Sequence, residues 1–283
     1  MTIRELYNYV YESLLIVEEE REAKVLTYRA LEFFTGYDRL KISLSPNTLI
    51  TQAQFQQLKS VVVALQAYTP IQYITGEAYF CGLTFHVNQH VLIPRPETEE
   101  LVYWILDENP DFSGSILDIG CGSGCIAISL AVHNPQAKVI ALDISENTLQ
   151  LARSNANFHN AKVHFVQKDI LSPDFYDNTL NYDIIVSNPP YVRHAEKKYM
   201  SKKVLDYEPA SALYVPDDNP LLYYQSIVKW ASIYLQEKGI LYFEINEACF
   251  DEMKQLLIDY RFCNITLKKD LHGKCRMLKA KRN

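Results

Sequence analysis

Apolar and aromatic residues recur at helical spacing along the first quarter of the chain. Between residues 6 and 17 they return every three or four positions, and the pattern resumes until Gly36 interrupts it. A further helix is predicted over residues 52–67. The sequence therefore predicts a small helical domain of three or four helices over residues 1–70.

The next stretch, residues 72–93, reads as extended. Its apolar runs are separated by the turn-forming pairs Cys81-Gly82 and Asn88-Gln89. The runs are Tyr79-Phe80, Leu83-Thr84-Phe85 and Val91-Leu92-Ile93. We predict a β-hairpin linker over residues 71–96, followed by a helix that begins near Glu97.

Strand patterns and helix patterns alternate from residue 113 to the end. The predicted strands cover residues 115–120, 138–143, 162–168, 182–188, 239–245, 262–269 and 275–281. The predicted helices cover residues 125–133, 146–159, 220–237 and 247–259. Such alternation is typical of an α/β fold with a mainly parallel, doubly wound sheet. The short turn at residues 271–274 allows the last two strands to pair only in the antiparallel direction.

A glycine-rich turn follows the first strand of this region. Gly120-Cys121-Gly122-Ser123-Gly124 lies between the predicted strand at residues 115–120 and the helix at residues 125–133. A strand, a glycine turn and a helix N-terminus together form a cradle for a nucleotide cofactor. The second strand ends at Asp143, whose carboxylate can accept both ribose hydroxyls of an adenosine. Taken alone, these signals fit NAD nearly as well as S-adenosylmethionine.

The tetrapeptide Asn188-Pro189-Pro190-Tyr191 decides between these cofactors. It follows an apolar strand, and two prolines cannot continue a central strand because they lack an N–H donor. The Asn188 Oδ1 and the Pro189 carbonyl can each accept one N–H of a planar amino group, while Tyr191 covers its flat face. With the glycine turn, this cluster indicates S-adenosylmethionine and an amino-group acceptor. Seven strands that end in a hairpin also indicate the methyltransferase sheet.

Composition narrows the substrate class. The net charge is −6, with 28 Lys and Arg against 34 Asp and Glu. A protein that grips nucleic acid mainly through phosphates is usually basic, so the balance favours a protein or small-molecule substrate. The six cysteines contain no C-x-x-C pair, which favours buried reduced thiols over a zinc or disulfide framework. The sequence shows no signal-peptide pattern and no apolar run of the ~20 residues that span a bilayer. We expect a cytoplasmic enzyme without a bound metal.

The chain closely resembles the protein-(glutamine-N5) methyltransferases that modify peptide chain release factors. Five motifs carry the resemblance over most of the length: Pro70-Ile71-Gln72-Tyr73-Ile74-Thr75-Gly76-Glu77, Val91-Leu92-Ile93-Pro94-Arg95-Pro96-Glu97-Thr98-Glu99, Leu117-Asp118-Ile119-Gly120-Cys121-Gly122-Ser123-Gly124, Ser187-Asn188-Pro189-Pro190-Tyr191 and Lys269-Asp270-Leu271-His272-Gly273. It implies a seven-stranded class I (Rossmann-like) methyltransferase domain over residues 97–283, behind a helical N-terminal domain and a hairpin linker. The implied substrate is the glutamine of the Gly-Gly-Gln motif of class-1 release factors.

The resemblance also implies roles for particular residues. The implied cofactor contacts are the glycine turn, Asp143, Asn188 and the pair Asp169-Ile170, which should flank the adenine. Arg95 and Glu97 are expected near the entrance of the site. We expect a monomer that acts on release factors, uses residues 1–70 to dock them and needs no nucleic acid.

Two other functions remain open at this stage. An amino-methyltransferase that acts on adenine or guanine in nucleic acid would use the same tetrapeptide, with Tyr191 stacked on a flipped base. A cofactor-binding protein without activity is the second alternative. It is disfavoured because Asn188 and the glycines of the turn are all present.

Overall fold

The computed structural model of the protein describes residues 1–172 and 181–283. The chain forms two compact units. The first comprises Met1–Gly76 together with Ser201–Tyr207, and the second comprises Glu77–Met200 and Glu208–Asn283.

The first unit is built from helices. Thr2 and Thr51 start the helices α1 (Ile3–Leu14) and α4 (Gln52–Gln66) with capping boxes. Gly36 ends the helix α2 (Glu20–Thr35) in the left-handed conformation at φ 67°. One apolar face of each long helix meets the others in a shared core. The helices are α1 Ile3–Leu14, α2 Glu20–Thr35, α3 Arg39–Leu44, α4 Gln52–Gln66, α5 Ile71–Thr75 and α9 Lys202–Tyr207.

The short helix α9 belongs to this first unit although it comes much later in the chain. The Lys203 ammonium lies 2.9 Å from a carboxylate oxygen of Glu22, and the Tyr207 hydroxyl donates to the Ala67 carbonyl at 2.8 Å. Nothing in the local sequence of residues 201–207 indicates this placement.

The predicted hairpin is confirmed, but both ends of the predicted extended stretch are wrong. Strands β1 Glu77–Phe80 and β2 Leu83–His86 pair in the antiparallel direction. Ile71–Thr75 is a helix, whereas the chain from residue 72 was predicted to be extended; Pro70 is at its N-cap and Gly76 ends it at φ 75°.

Residues 91–93 also form no strand. The Val91 N–H donates to the Asn88 carbonyl in a turn, and the Ile93 N–H points to a carboxylate oxygen of Glu208 at 3.4 Å. Neither donor is therefore used in a β ladder. The following helix, α6 Pro96–Glu108, starts one residue before the predicted position, with proline at its first turn.

The second unit contains the predicted seven-stranded sheet. Its strands are β3 Ser115–Ile119, β4 Lys138–Asp143, β5 Val163–Gln167, β6 Tyr182–Ser187, β9 Leu235–Glu244, β10 Phe262–Lys269 and β11 Cys275–Arg282. The order across the sheet is β5-β4-β3-β6-β9-β11-β10. Neighbouring strands in the series β5-β4-β3-β6-β9 are parallel. Strand β11 is antiparallel to β10, as the short connecting turn predicts, and it is also antiparallel to β9. A separate two-stranded parallel pair is formed by β7 Val192–Arg193 and β8 Tyr214–Val215.

Helices cover both faces of the sheet. Apolar residues of α6, α7 Cys125–His133 and α8 Glu146–Phe158 pack in one core, and those of α10 Leu222–Tyr234 and α11 Phe250–Asp259 pack in a second. The α10 prediction was three residues too long at its C-terminal end, because β9 begins directly at Leu235. Helix α11 starts later than predicted, after a 3-10 turn over Glu247–Cys249.

All six cysteines are free thiols, but only half of them are buried. Cys81, Cys121 and Cys249 are buried, whereas Cys125, Cys263 and Cys275 are partly exposed. No helix within residues 1–172 and 181–283 has both the length and the apolar character needed to cross a membrane.

The strand order reverses between β3 and β6. The chain leaves β3 for β4 and β5 on one side, and then returns to β6 on the other side of β3. Ligands of open α/β sheets bind at the carboxyl ends of the strands at such a point. The glycine turn follows β3 and the tetrapeptide follows β6, so this topology places both motifs at one edge of the sheet.

Candidate active site

A cleft of about 320 Å³ opens at this edge of the sheet. Its size lies near the lower end of the roughly 300–1,000 Å³ that is usual for small-molecule sites. Most of the predicted site residues line it: Arg95, Gly120, Cys121, Gly122, Ser123, Asp143, Asp169, Ile170, Asn188, Pro189 and Pro190. Gly124, Glu97 and Tyr191 are not among the lining residues.

The glycine turn is held against β4. The backbone N–H groups of Gly120 and Cys121 both donate to the Leu142 carbonyl at 2.8 Å. Gly122 and Gly124 have φ values of 54° and 82°, which L-residues adopt only under strain. At Gly124 a Cβ would also lie 2.8 Å from a methyl group of Ile128. The turn therefore needs glycine both for its backbone conformation and for close packing on α7.

Asp143 joins the end of β4 to this turn. Its Oδ2 accepts the Gly122 N–H and its Oδ1 accepts the Ser145 N–H, both at 3.0 Å. Burial raises the pKa of Asp143, while these backbone donors oppose the shift. A carboxylate has about four lone-pair positions, so Asp143 keeps capacity for further donors. Asp143 can thus stabilise the turn and accept hydroxyl groups of a ligand.

The end of β5 supplies an apolar wall. Ile170 lines the cleft beside Asp169. Tyr223, from helix α10, also lines the cleft, and burial raises the pKa of its phenol. Tyr223 was not predictable as a site residue, because an aromatic residue on an amphipathic helix carries no signal that distinguishes a cleft from a core.

The tetrapeptide begins where β6 ends, and Asn188 is part of a buried hydrogen-bond network. The Asn188 Nδ2 group donates to Thr98 Oγ1 at 3.1 Å, and Thr98 Oγ1 donates to Glu244 Oε2 at 2.6 Å. The Tyr191 hydroxyl donates to the other carboxylate oxygen, Glu244 Oε1, at 2.9 Å. Thr98 is on α6, Glu244 ends β9, and Asn188 and Tyr191 belong to the segment that follows β6. The network therefore joins three elements around the Glu244 carboxylate.

Glu244 is 1% exposed. Burial raises its pKa, whereas the hydrogen bonds from Thr98 and Tyr191 and the charge of Arg276 lower it. Burial also raises the pKa of Tyr191 well above its usual range, and the Glu244 carboxylate adds to this effect. The pair is therefore held with the proton on the Tyr191 oxygen. Neither Thr98, which itself lines the cleft, nor Glu244 was predicted from the sequence to be a site residue.

Arg95 is held on the cleft wall by an ion pair. Its guanidinium lies 2.5 Å from Glu208 Oε1, and Glu208 is 7% exposed. The same carboxylate faces the Ile93 N–H, so Glu208 joins the segment before α6 to the residues after α9. The neighbouring Pro209 also lines the cleft.

Asp118 lies on β3 beneath the glycine turn and should make stability depend on pH. Its Oδ2 accepts the Ala127 N–H at 3.2 Å, its Oδ1 has no partner among the described residues, and burial raises its pKa from 3.8 to about 7. The folded protein therefore binds more protons than the unfolded chain between these values, and the free energy of unfolding falls as pH rises through this window.

Asp118→Asn should remove this dependence. The difference in unfolding free energy between Asp118→Asn and the unchanged protein should grow with pH, by up to about 1.4 kcal/mol per pH unit within the window. Urea denaturation at several values between about pH 5 and pH 8 measures it. A difference that stays constant across that range contradicts the assignment.

The cleft fits a cofactor that contains adenosine. The glycine turn offers backbone at a helix N-terminus, Asp143 retains acceptor capacity, and Leu142, Ile170 and Tyr223 supply apolar surface. The sheet order and this cleft define the chain as a class I, Rossmann-like methyltransferase, a class whose cofactor is S-adenosylmethionine.

Comparisons of the sequence give the family. A family model described as "Methyltransferase small domain" matches residues 98–210, and one described as "PrmC N-terminal domain" matches residues 12–76. The release factor glutamine methyltransferase of Flavobacterium psychrophilum is 45% identical, over 99% of both chains. That of Bacteroides thetaiotaomicron is 44% identical, over 97% of this chain and 98% of its own. The chain belongs to the release factor glutamine methyltransferase family.

Solved structures share the fold at low identity. A methyltransferase from Pyrococcus furiosus has a TM-score of 0.53 at 19% identity, over 71% of this chain and 90% of its own. A second structure is a Thermus thermophilus 16S rRNA N2 G1207 methyltransferase in complex with AdoMet and guanosine. Its TM-score is 0.55 at 19% identity, and the match covers 73% of this chain and 50% of that chain. At this identity the likeness establishes the fold alone.

Proposed function

We propose that this protein transfers a methyl group from S-adenosylmethionine to the side-chain amide nitrogen of the glutamine in the Gly-Gly-Gln motif of class-1 peptide chain release factors. The observation that carries the proposal is the hydrogen bonding of Asn188. Its side-chain NH2 group donates a hydrogen bond to Thr98 Oγ1, so its Oδ1 is left as an acceptor beside Pro189 in the cleft wall.

Positioning is the main task of the site, because an amide nitrogen is a weak nucleophile. When bound, S-adenosylmethionine supplies a methyl group that is strongly electrophilic. Asn188 Oδ1 and the Pro189 carbonyl accept the two N–H groups of the glutamine amide and hold its nitrogen in line for transfer. The same two acceptors stabilise the positive charge that develops on that nitrogen. The surplus proton then passes to solvent, so the site needs no dedicated base.

In this proposal Tyr191 anchors the tetrapeptide. The sequence predicts instead that its ring packs on the flat face of the substrate amide. Its hydroxyl donates to Glu244, and it does not line the cleft. It ties the tetrapeptide to the end of β9 and thereby keeps Asn188 and Pro189 in place.

The same proposal covers the wider organisation. The first unit, Met1–Gly76 with Ser201–Tyr207, docks the release factor, and the second unit carries out the transfer. The hairpin of β1 and β2 belongs to the second unit instead of forming a separate linker over residues 71–96. We propose that the protein works as a monomer and needs no nucleic acid. The acidic net charge of −6 supports a protein substrate over a phosphate backbone.

The test is a mass measurement on the release factor. The protein is incubated with S-adenosylmethionine and a class-1 release factor from the same organism. The Gly-Gly-Gln peptide is then analysed by tandem mass spectrometry. We expect one added methyl group on the glutamine nitrogen. A release factor with glutamate in place of that glutamine is the control and should gain none. Methylation of RNA or DNA in parallel reactions, with an unmodified release factor, would refute the proposal.

A further inference from the structure

The side-chain amide of Asn188 has two chemically different ends, and the site works only if the correct end faces the cleft. An amide oxygen accepts hydrogen bonds, whereas an amide NH2 group donates them. Only the oxygen can hold the N–H groups of a substrate amide. The geometry behind Asn188 shows how this orientation is selected.

The direction of each hydrogen bond behind Asn188 follows from Glu244. An ionised carboxylate only accepts, and Glu244 is buried with one oxygen facing Thr98 and the other facing Tyr191. The single Thr98 hydroxyl proton therefore goes to Glu244, at 2.6 Å. The Thr98 oxygen is left with lone pairs only, so it takes a donor from Asn188, at 3.1 Å.

The flipped amide is unfavourable for the same reason. Asn188 Oδ1 would then face the Thr98 oxygen with no proton between them. Alternatively, Thr98 would turn its proton to Asn188 and leave a buried oxygen of Glu244 without that donor. An unsatisfied buried charge is destabilising, so either arrangement is disfavoured.

We propose that Thr98 is a positioning residue that orients the Asn188 amide, and that Glu244 sets the direction of the Thr98 hydrogen bond. This inference rests on the proposed function for its kinetic consequences. It adds a source of specificity: with Oδ1 in the cleft, the site accepts a donor such as an amide NH2 and rejects the carboxylate of glutamate, which can only accept.

Thr98→Val tests the proposal because valine keeps the shape of threonine and lacks its hydroxyl. Without that hydroxyl the Asn188 amide is free to flip. We expect kcat to fall by about 10- to 100-fold, while the KM for S-adenosylmethionine stays within about threefold. Thr98→Ser keeps the hydroxyl and should stay within about threefold of the unchanged protein.

Competition with the glutamate form of the release factor gives a readout that a purely structural role would not move. A flipped Asn188 presents its NH2 group, which a carboxylate can accept. The inhibition constant of the glutamate form is divided by that of the methylated product, which carries N5-methylglutamine. This ratio should therefore fall about tenfold in Thr98→Val and stay unchanged in Thr98→Ser. Thr27→Val is the matched control, since Thr27 is also buried and its hydroxyl donates to the Ala23 carbonyl within helix α2. An unchanged ratio in Thr98→Val overturns the proposal, as does a loss of kcat in Thr98→Ser as large as that in Thr98→Val.

A second measurement separates this inference from the proposed function. Protein labelled with 15N-asparagine shows the Asn188 side-chain NH2 pair, which is assigned by its absence in Asn188→Asp. Thr98→Val should shift that pair and speed its exchange with solvent, whereas Thr27→Val should not. If this result is obtained and no release factor is methylated, the proposed function fails and the orientation by Thr98 stands. An Asn188 pair that is unaffected by Thr98→Val refutes the orientation, whatever the activity.

Discussion

Asn188→Ala is expected to lower kcat for release factor methylation by at least about 100- to 1,000-fold. In the proposed mechanism, the variant lacks the acceptor that would hold one N–H of the substrate amide and stabilise the charge that develops on its nitrogen. Loss of one such preorganised group typically has an effect of this size. We propose that the cofactor is held mainly by the glycine turn and Asp143, which the substitution leaves in place, and that Asn188 contributes little to its affinity. The dissociation constant for S-adenosylmethionine should therefore change by less than about threefold.

Single-turnover methylation and calorimetric titration of the cofactor measure the two quantities separately. Asn157→Ala is the matched control, because Asn157 is exposed on helix α8 and should leave both unchanged. Asn188→Asp is informative as well. It restores an oxygen, but it places a second carboxylate against Thr98 and close to the buried Glu244, so we expect little recovery. Full activity in Asn188→Ala would remove Asn188 from the mechanism.

The sheet was predictable because its signals are local. Each parallel strand is a short apolar run bounded by glycine, proline or polar residues, and each is separated from the next by a helical pattern. The direction of β11 followed from the length of one turn. The edge at which the glycine turn and Asn188 meet then followed from topology, because the carboxyl ends of neighbouring parallel strands lie together.

The network behind Asn188 was not predictable from these signals. Thr98 and Glu244 are 146 residues apart and meet only because α6 packs beside β9. Glu208 and Arg95 are 113 residues apart. An isolated threonine or glutamate has no local pattern that marks it as buried. A carboxylate at the end of a buried strand, as Glu244 is at the end of β9, is the one signal that could have suggested it.

The errors in the extended segment have a related cause. Residues 71–75 and 91–93 are short segments, and periodicity cannot distinguish extended chain from a single helical turn over so few positions. For Ile71–Thr75, the flanking Pro70 and Gly76 carried the better signal, because they are a helix start and a helix end. For residues 91–93, the partner of the Ile93 N–H is Glu208, which lies far away in the sequence.

Asp143→Ala is expected to have the opposite effect to Asn188→Ala. It removes the acceptor for the Gly122 and Ser145 N–H groups and the two hydrogen bonds that we propose to the ribose hydroxyls. Hydrogen bonds to a charged group contribute about 1.5–3 kcal/mol each, so the dissociation constant for S-adenosylmethionine should rise at least about 100-fold. At saturating cofactor, kcat should fall only a few-fold, since the Asn188 site is intact. Asp107→Ala, on the exposed side of α6, is the matched control.

A cofactor analogue separates the two roles of Asp143. S-adenosylhomocysteine and its 2′-deoxy form are titrated into the unchanged protein and into Asp143→Ala. If Asp143 holds the ribose, the unchanged protein should lose about tenfold or more in affinity for the deoxy form, and Asp143→Ala should bind both forms equally. If both proteins discriminate equally, Asp143 acts only by holding Gly122 and Ser145, and the hydroxyls are bound elsewhere. Asp143→Asn should then weaken both ligands to the same extent, because its NH2 group would face one of the two backbone donors.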